Sequence, residues 1–146
     1  MSNVYSFLNV NANIAGAGGL LDLAAGAAAA EEGIEIDQNN DKNVMQIGAD
    51  GRGQHSLVAD DSGTVTIKLL KTSPINQGLM NMYNLQSQSS ALWGQNIITV
   101  VDSARGDTIV IEAAAFKKPP KLVYAKEAGF NDWVFDAIKI TRILGT

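Results

Sequence analysis

His55 is the natural first place to look for chemistry, because it is the single histidine of the chain and an imidazole near neutral pH can act as a general base or a metal ligand. It lies in the polar stretch NNDKNVMQIGADGRGQHSLVADDS at 39–62, and no G-x-S-x-G, H-E-x-x-H or second histidine gives it a partner. A structural or solvated role is expected. Asp60 and Asp61 supply two carboxylates, yet neighbours in extended chain point to opposite sides, which disfavours a concerted acid and base pair. DQNND at 37–41 places oxygens at alternate positions as an EF-hand loop does, but Lys42 stands where that loop needs glycine and Gly48 where it closes with glutamate. GADGRG at 48–53 lacks the Lys-Ser/Thr of a phosphate-binding loop and opens no apolar helix, so it reads as a flexible turn. DSARGD at 102–107 contains Arg-Gly-Asp between two strand-like runs and reads as a hairpin turn. FKKPPKLVY at 116–124 clusters Lys117, Lys118 and Lys121 around Pro119 and Pro120, but an acidic chain without a basic face is a poor nucleic-acid binder. With no cysteine, disulfides, thiolate metal sites and thiol nucleophiles are removed together. No catalytic residue, cofactor or metal site is expected, and the chain does not read as an enzyme.

The elements that carry these residues look mainly β. Strands are expected at about 4–10, 31–38, 43–48, 63–71, 96–102, 107–117, 121–126 and 132–141, eight at most, each rich in Val, Ile, Thr or aromatics and bounded by Gly, Asn, Asp or Ser. In GTVTIKLL, Val65, Ile67 and Leu69 share one face and Thr64, Thr66 and Lys68 the other, the pattern of a half-buried strand. NDWVFDAIKI sets Trp133, Phe135 and Ala137 against Val134, Asp136 and Ile138, and apolar residues on both sides predict a strand covered on both faces. In EEGIEID, Glu31, Glu35 and Asp37 fall on one face with Gly33, opposite Ile34 and Ile36. Such a row is either a solvated outer strand or an acidic wall.

KTSPINQGLMNMYN at 71–84 is the exception to the alternation. Thr72 or Ser73 can cap a helix, Pro74 suits its first position, and Ile75, Leu79, Met82 and Tyr83 form one apolar stripe weakened only by Gly78. A helix of about three turns needs a sheet or a neighbouring subunit to bury that stripe. Trp93, among turn-forming residues, is either an anchor within its own domain or a candidate interface anchor.

The 146 residues suffice for one domain with a core, read here as 1–146 with an extended polar arm at 39–62. Charged residues make up 18%, below the usual quarter, which points to surface covered by another protein. Residues 1–61 hold nine acids and two bases, whereas 62–146 hold six acids and nine bases. Opposite signs on opposite surfaces would suit head-to-tail stacking of copies. The N-terminal sequence lacks a basic start and the apolar run at 20–30 is too short for a bilayer, so neither export nor a membrane role is expected.

Taken in order, DKNVMQIGADGRGQHSL, SGTVTIKLLKTSPIN, MYN, SSALWGQN, DSARGD, YAKEAGFNDWVFDAIKI and the terminal ILG resemble the tail tube proteins of contractile-tailed bacteriophages over nearly the whole chain. That family is in turn similar to the tube protein of type VI secretion. The resemblance implies a β-sandwich or barrel with one short flanking helix, completed by ring oligomerisation: six copies form a ring and rings stack into a hollow tube. It implies self-assembly, a sheath, a tape measure protein, baseplate and tail-terminator proteins as partners, and double-stranded DNA in transit without specific binding. It also implies a place in the virion tail after assembly in the host cytoplasm, and no membrane.

Within that resemblance Glu31, Glu35 and Asp37 are candidates for the lumen wall. Asp50, Arg52, His55, Asp60 and Asp61 are candidates for an arm that contacts the next ring, and Ile75, Leu79, Met82 and Tyr83 for packing of the flanking helix. With about four strands per subunit, roughly 24 strands tilted about 40° close into a backbone barrel some 45–50 Å across, wide enough for a duplex. The alternatives are a type VI-like secretion tube, or a monomeric β-sandwich that binds a glycan or peptide.

Overall fold

The computed structural model describes residues 4–6, 9–25 and 33–145. In chain order these form β1 (Val10–Gly16), β2 (Gly19–Ala25), β3 (Gly33–Gln38), β4 (Asn43–Ile47), β5 (Gly53–Leu57), β6 (Gly63–Leu70), α1 (Ile75–Gln86), β7 (Asn96–Asp102), β8 (Asp107–Lys118) and β9 (Phe130–Ile143). Seven strands make one sheet in the order β2-β1-β7-β8-β9-β6-β3, while β4 and β5 form a separate hairpin. Every neighbouring pair is antiparallel. The large sheet curls into a half-barrel whose margins, β2 and β3, end the order unpaired with one another. A mainly β fold with a short flanking helix is therefore what the chain adopts, with 53% of the described residues in strand.

Alternation builds the core. Val65, Ile67 and Leu69 of β6 are fully buried, as are Ile14, Ile98, Ile111, Trp133 and Phe135 or nearly so, and all of them belong to one cluster on one face of the sheet. Phe116 is its hub, with ring centroids 4.7 Å from Phe135, 5.9 Å from Trp133 and 5.7 Å from Tyr83. Edge-to-face and tilted geometries of this kind let the positive ring edge meet a negative ring face.

The helix lies across this face. Leu79 and Met82 are buried in the cluster, with Ile75 and Tyr83 half-buried beside them. Gly78, which the sequence marks as a weakness, is where Leu21 packs: a Cβ there would come within 2.9 Å of both Leu21 Cδ atoms. Pro74 occupies the N-cap position itself rather than the first helical turn, and no side chain caps the helix there. Ser73 Oγ still accepts from Ile75 N at 3.3 Å. Asn76 does most of the anchoring: its Nδ2 donates to Leu70 O at 2.9 Å and its Oδ1 accepts from Trp133 Nε1 at 2.9 Å. At the other end Gln86 and Asn96, both fully buried, exchange reciprocal amide bonds of 2.7 and 2.9 Å, and Gln86 Nε2 also reaches Ala17 O. Buried amides satisfied in this way fix the helix at one register on the sheet.

Several sequence expectations need correction. The stretch 121–126 has strand composition but forms no ladder, and 4–6 lie outside any strand. The strands β1, β2 and β5 were not foreseen as such. In β9, Val134 is half-buried while Asp136 and Ile138 are exposed, so within the chain one face is covered and the other is open. The bend also has a local cause: Ala113, with φ 51°, is an extra residue of β8 against β7. It reverses which residues face the core between Ile111 and Ala114, the kink expected of a β-bulge.

Candidate functional site

The residues with chemical potential are dispersed, and one group of them holds the loops together. His55 lies in β5 opposite Met45, exposed, with Nδ1 3.1 Å from Asn43 Nδ2. Asp60 and Asp61 serve different partners. Asp60 Oδ2 accepts from Asn40 Nδ2 at 2.6 Å and its Oδ1 from Ser62 N at 2.9 Å, whereas Asp61 Oδ1 pairs with Lys42 Nζ at 3.0 Å. Thr64 Oγ1 donates to Asn39 Oδ1 at 2.9 Å alongside. These bonds form a clamp where the arm leaves the sheet, between β3 and β6. At the tip Asp50 Oδ1 accepts from Arg52 N at 3.0 Å and Gly51 takes a positive φ of 86°, the conformation glycine adopts without strain.

Hydrogen bonds from Ser62 and Asn40 lower the Asp60 carboxyl from an ordinary 3.8 to about 2. A carboxylate whose folded pKa is depressed supports the fold above its unfolded value and loses that support as pH falls through the folded one. The clamp is thus expected to be fully formed above about pH 4 and to open toward pH 2. In an NMR titration of dissociated subunits, the Ser62 amide should shift with a midpoint near the 2 of Asp60, and Asp60→Asn should abolish that step. A midpoint at the ordinary carboxylate value would mean that the clamp does not hold in solution.

The sheet face away from the core carries the second group. Glu35 and Asp37 are exposed on β3 and sit opposite Thr66 and Thr64 of β6, which in turn face Val134 and Asp136 of β9. Lys68 and Asp132 pair one step further along. Asp37, Thr64 and Asp136 therefore form one row across three strands. Glu31 lies outside the described residues. Asp132 and Asp136 were not singled out from the sequence, although the alternation of NDWVFD already places them together, opposite Trp133 and Phe135.

Trp93 packs within its own chain, edge-on to Tyr83 at 6.0 Å and tilted against Phe116 at 6.5 Å. The Arg-Gly-Asp triplet closes the β7–β8 turn: Gly106 N donates to Asp102 O at 2.8 Å, and Asp102 Oδ1 accepts from Ala104 N and Arg105 N. An apolar cleft of about 270 Å³ opens between Ile34 and Ile36 of β3 and Val10, Val100 and Ile109. Of the three carboxylates that line it, Asp102 is held by that turn and Asp107 by Gly145 N at 2.8 Å, and the third is Glu35. Among the described residues no three His, Asp or Glu side chains gather as a metal site.

A curled sheet whose margins, β2 and β3, pair with no further strand among the described residues, together with an exposed hairpin and polar side chains that hold turns, has the character of a structural part. The chain belongs to the bacteriophage PhiTE tail tube protein family, whose family model matches residues 1–145, and its role is that of a structural tail tube protein. No curated protein matches the sequence. Among solved structures, the tube-terminating cap of the anti-feeding prophage superposes with a TM-score of 0.56 at 10% identity, covering 99% of this chain and 93% of that one. A chain of the extended sheath-tube complex of an extracellular contractile injection system gives 0.52 at 9% identity, covering 91% and 88%. A chain of the anti-feeding prophage baseplate gives 0.53 at 10%, covering 98% and 97%. At such identities these likenesses establish a shared fold.

Proposed function

We propose that six copies of this chain close into a ring, that rings stack into the inner tube of a contractile phage tail, and that the tube conducts the genome during ejection. The observation that carries this reading is the half-barrel with β2 and β3 as margins that pair with no further strand among the described residues. A strand edge exposes unpaired N–H and C=O groups, and a monomer that keeps two of them open invites pairing with further chains. Pairing the β3 margin of one copy with the β2 margin of the next joins the half-barrels into a continuous wall. The threonine- and carboxylate-bearing face, which the helix leaves uncovered, then lines the bore.

In this arrangement the arm at 39–62, with Asp50, Arg52, His55, Asp60 and Asp61, reaches the adjacent ring, and Glu35 and Asp37 face the channel. A sheath outside, a tape measure protein within during assembly, and baseplate and terminator proteins at the ends complete the partner set. The matched structures come from complexes whose names include a sheath, a cap and a baseplate, which supports that company. Virion assembly in the host cytoplasm and the absence of catalysis belong to the same reading.

Size in solution tests it. The purified chain is expected to elute as rings and to grow into hollow tubes seen by negative-stain microscopy. A species that stays at 15.4 kDa when concentrated would favour a monomeric binding module and end the tube reading.

A further inference from the structure

The large sheet has two ends of opposite character. At one end the arm joins the last residue of β3 to the first of β6, beside Ala137 of β9. At the other, the β8–β9 connection at 119–129 adjoins the end of β6: Leu70 pairs with Phe130 and Lys71 N donates to Gly129 O at 3.2 Å. Eight residues of β6 lie between, roughly 25 Å of strand.

The arm carries an apolar stripe. Its register places Met45, Ile47 and Leu57 on one face with Asn43 and His55, and leaves Val44, Gln46, Gln54 and Ser56 on the other. All ten hairpin residues are exposed, with Met45 at 58% and Leu57 at 84%. An isolated two-stranded hairpin is marginal in water, and an apolar stripe on it calls for a cover. Over 39–62 the arm holds Asp41, Asp50, Asp60 and Asp61 against Lys42 and Arg52.

The opposite end is its complement. Lys71, Lys117, Lys118, Lys121 and Lys126 outnumber the two acids at this end, Glu127 and Asp132. Lys71 donates to Val123 O and sits 3.8 Å over the ring of Tyr124, which fixes the loop while leaving Leu122, Val123 and Tyr124 exposed, Val123 at 54% and Tyr124 at 83%. This is also the segment whose composition reads as a strand and which finds no ladder within the chain.

We propose that the occupant of this lysine-bordered loop is the arm of a second copy: the Met45, Ile47 and Leu57 face of one subunit packs on Leu122, Val123 and Tyr124 of another, with the surplus acids of the arm against the surplus lysines of the loop. The inference rests on the tube reading and names the acceptor surface for its arm. Because donor and acceptor lie at opposite ends of the same strands, the contact is heterologous, and it repeats along an axis rather than closing as a dimer does. Apolar contact supplies the adhesion, and charge supplies the polarity, since arm against arm or loop against loop brings like signs together.

The cysteine-free sequence permits a direct test. Met45→Cys with Val123→Cys in the full chain, and separately Leu57→Cys with Tyr124→Cys, place thiols only at exposed positions, so folding is expected to be kept. Under mild oxidation of assembled tubes, each double variant is expected to give a ladder of covalent multimers on a denaturing gel. Mixed single variants should stop at dimers. Tubes that form normally but yield no more cross-linking than a Met45→Cys, Ser87→Cys control would overturn this inference and leave the tube reading standing. A wild-type chain that never assembles would overturn both.

Discussion

Phe116→Ala is expected to lower folding stability by about 3–5 kcal/mol, the range for removing a large aromatic from a packed interior. The position explains why the effect belongs at the upper end. Phe116 is almost fully buried and touches rings from three directions: Tyr83 of α1, Trp133 and Phe135 of β9, and Trp93 from the loop after the helix. Its loss leaves a void that cannot collapse from one side, because Trp133 is tied through Nε1 to Asn76 and Tyr83 lies on a helix pinned by the Gln86 and Asn96 pair. Against a typical total of about 5–15 kcal/mol, such a cost brings a domain of this size close to unfolding. Urea denaturation of dissociated subunits reads it directly, and Phe116→Leu, which keeps most of the volume, should recover part of the loss. A cost below about 1 kcal/mol would mean that the ring cluster is not the centre of the core.

How much of this could be read in the chain depends on whether the signal was local. β6 was legible because Val65, Ile67 and Leu69 alternate with Thr64, Thr66 and Lys68, and one covered face is all the strand requires. The helix stripe was legible for the same kind of reason, at a different period. VNANIAG of β1 also alternates, but with asparagine and small residues whose strand preference is weak, so its existence depends on β2 and β7 on either side. GLLDLAA of β2 has the composition of a helix and becomes a strand by pairing with β1. Conversely KLVYAK at 121–126 has the composition and lacks a partner within the chain. Pairing is a property of two segments distant in sequence, and neither alone records it.

The site divides along the same line. The Arg-Gly-Asp turn and the divergent Asp60 and Asp61 were readable because both follow from neighbours in sequence. The row of Asp37, Thr64 and Asp136 was not, since it joins three strands whose order appears only once the sheet is formed. Likewise Lys117, Lys118 and Lys121 read from the sequence as a charged turn between two strands, and their placement at the end opposite the arm is a consequence of the antiparallel run of β6 and β9.

Exchange of Glu35, Asp37 and Asp136 for lysine is expected to leave tubes of normal length and to cut infectivity by about a hundredfold or more, because a duplex held by several lysines must shed and regain counterions at every step. The three carboxylates are exposed on the face away from the core and none of them has a salt-bridge partner among the described residues, so their replacement costs the fold little. Glu31, adjoining the same strand in sequence, can be added to the set. An acidic wall and a phosphate backbone repel, which keeps a passing polymer from adhering. With lysine in their place each subunit offers several contacts, repeated in every ring around and along the bore. The signature that separates this mechanism from a defect of assembly is salt: ejection in vitro from the variant should recover as ionic strength rises, since binding that depends on many phosphates weakens steeply with added salt. Tubes that look normal, combined with unchanged plaque counts, would show that these carboxylates do not face the bore. Loss of tubes altogether would place them at a contact between subunits instead, where the unpaired β3 margin carries both Glu35 and Asp37.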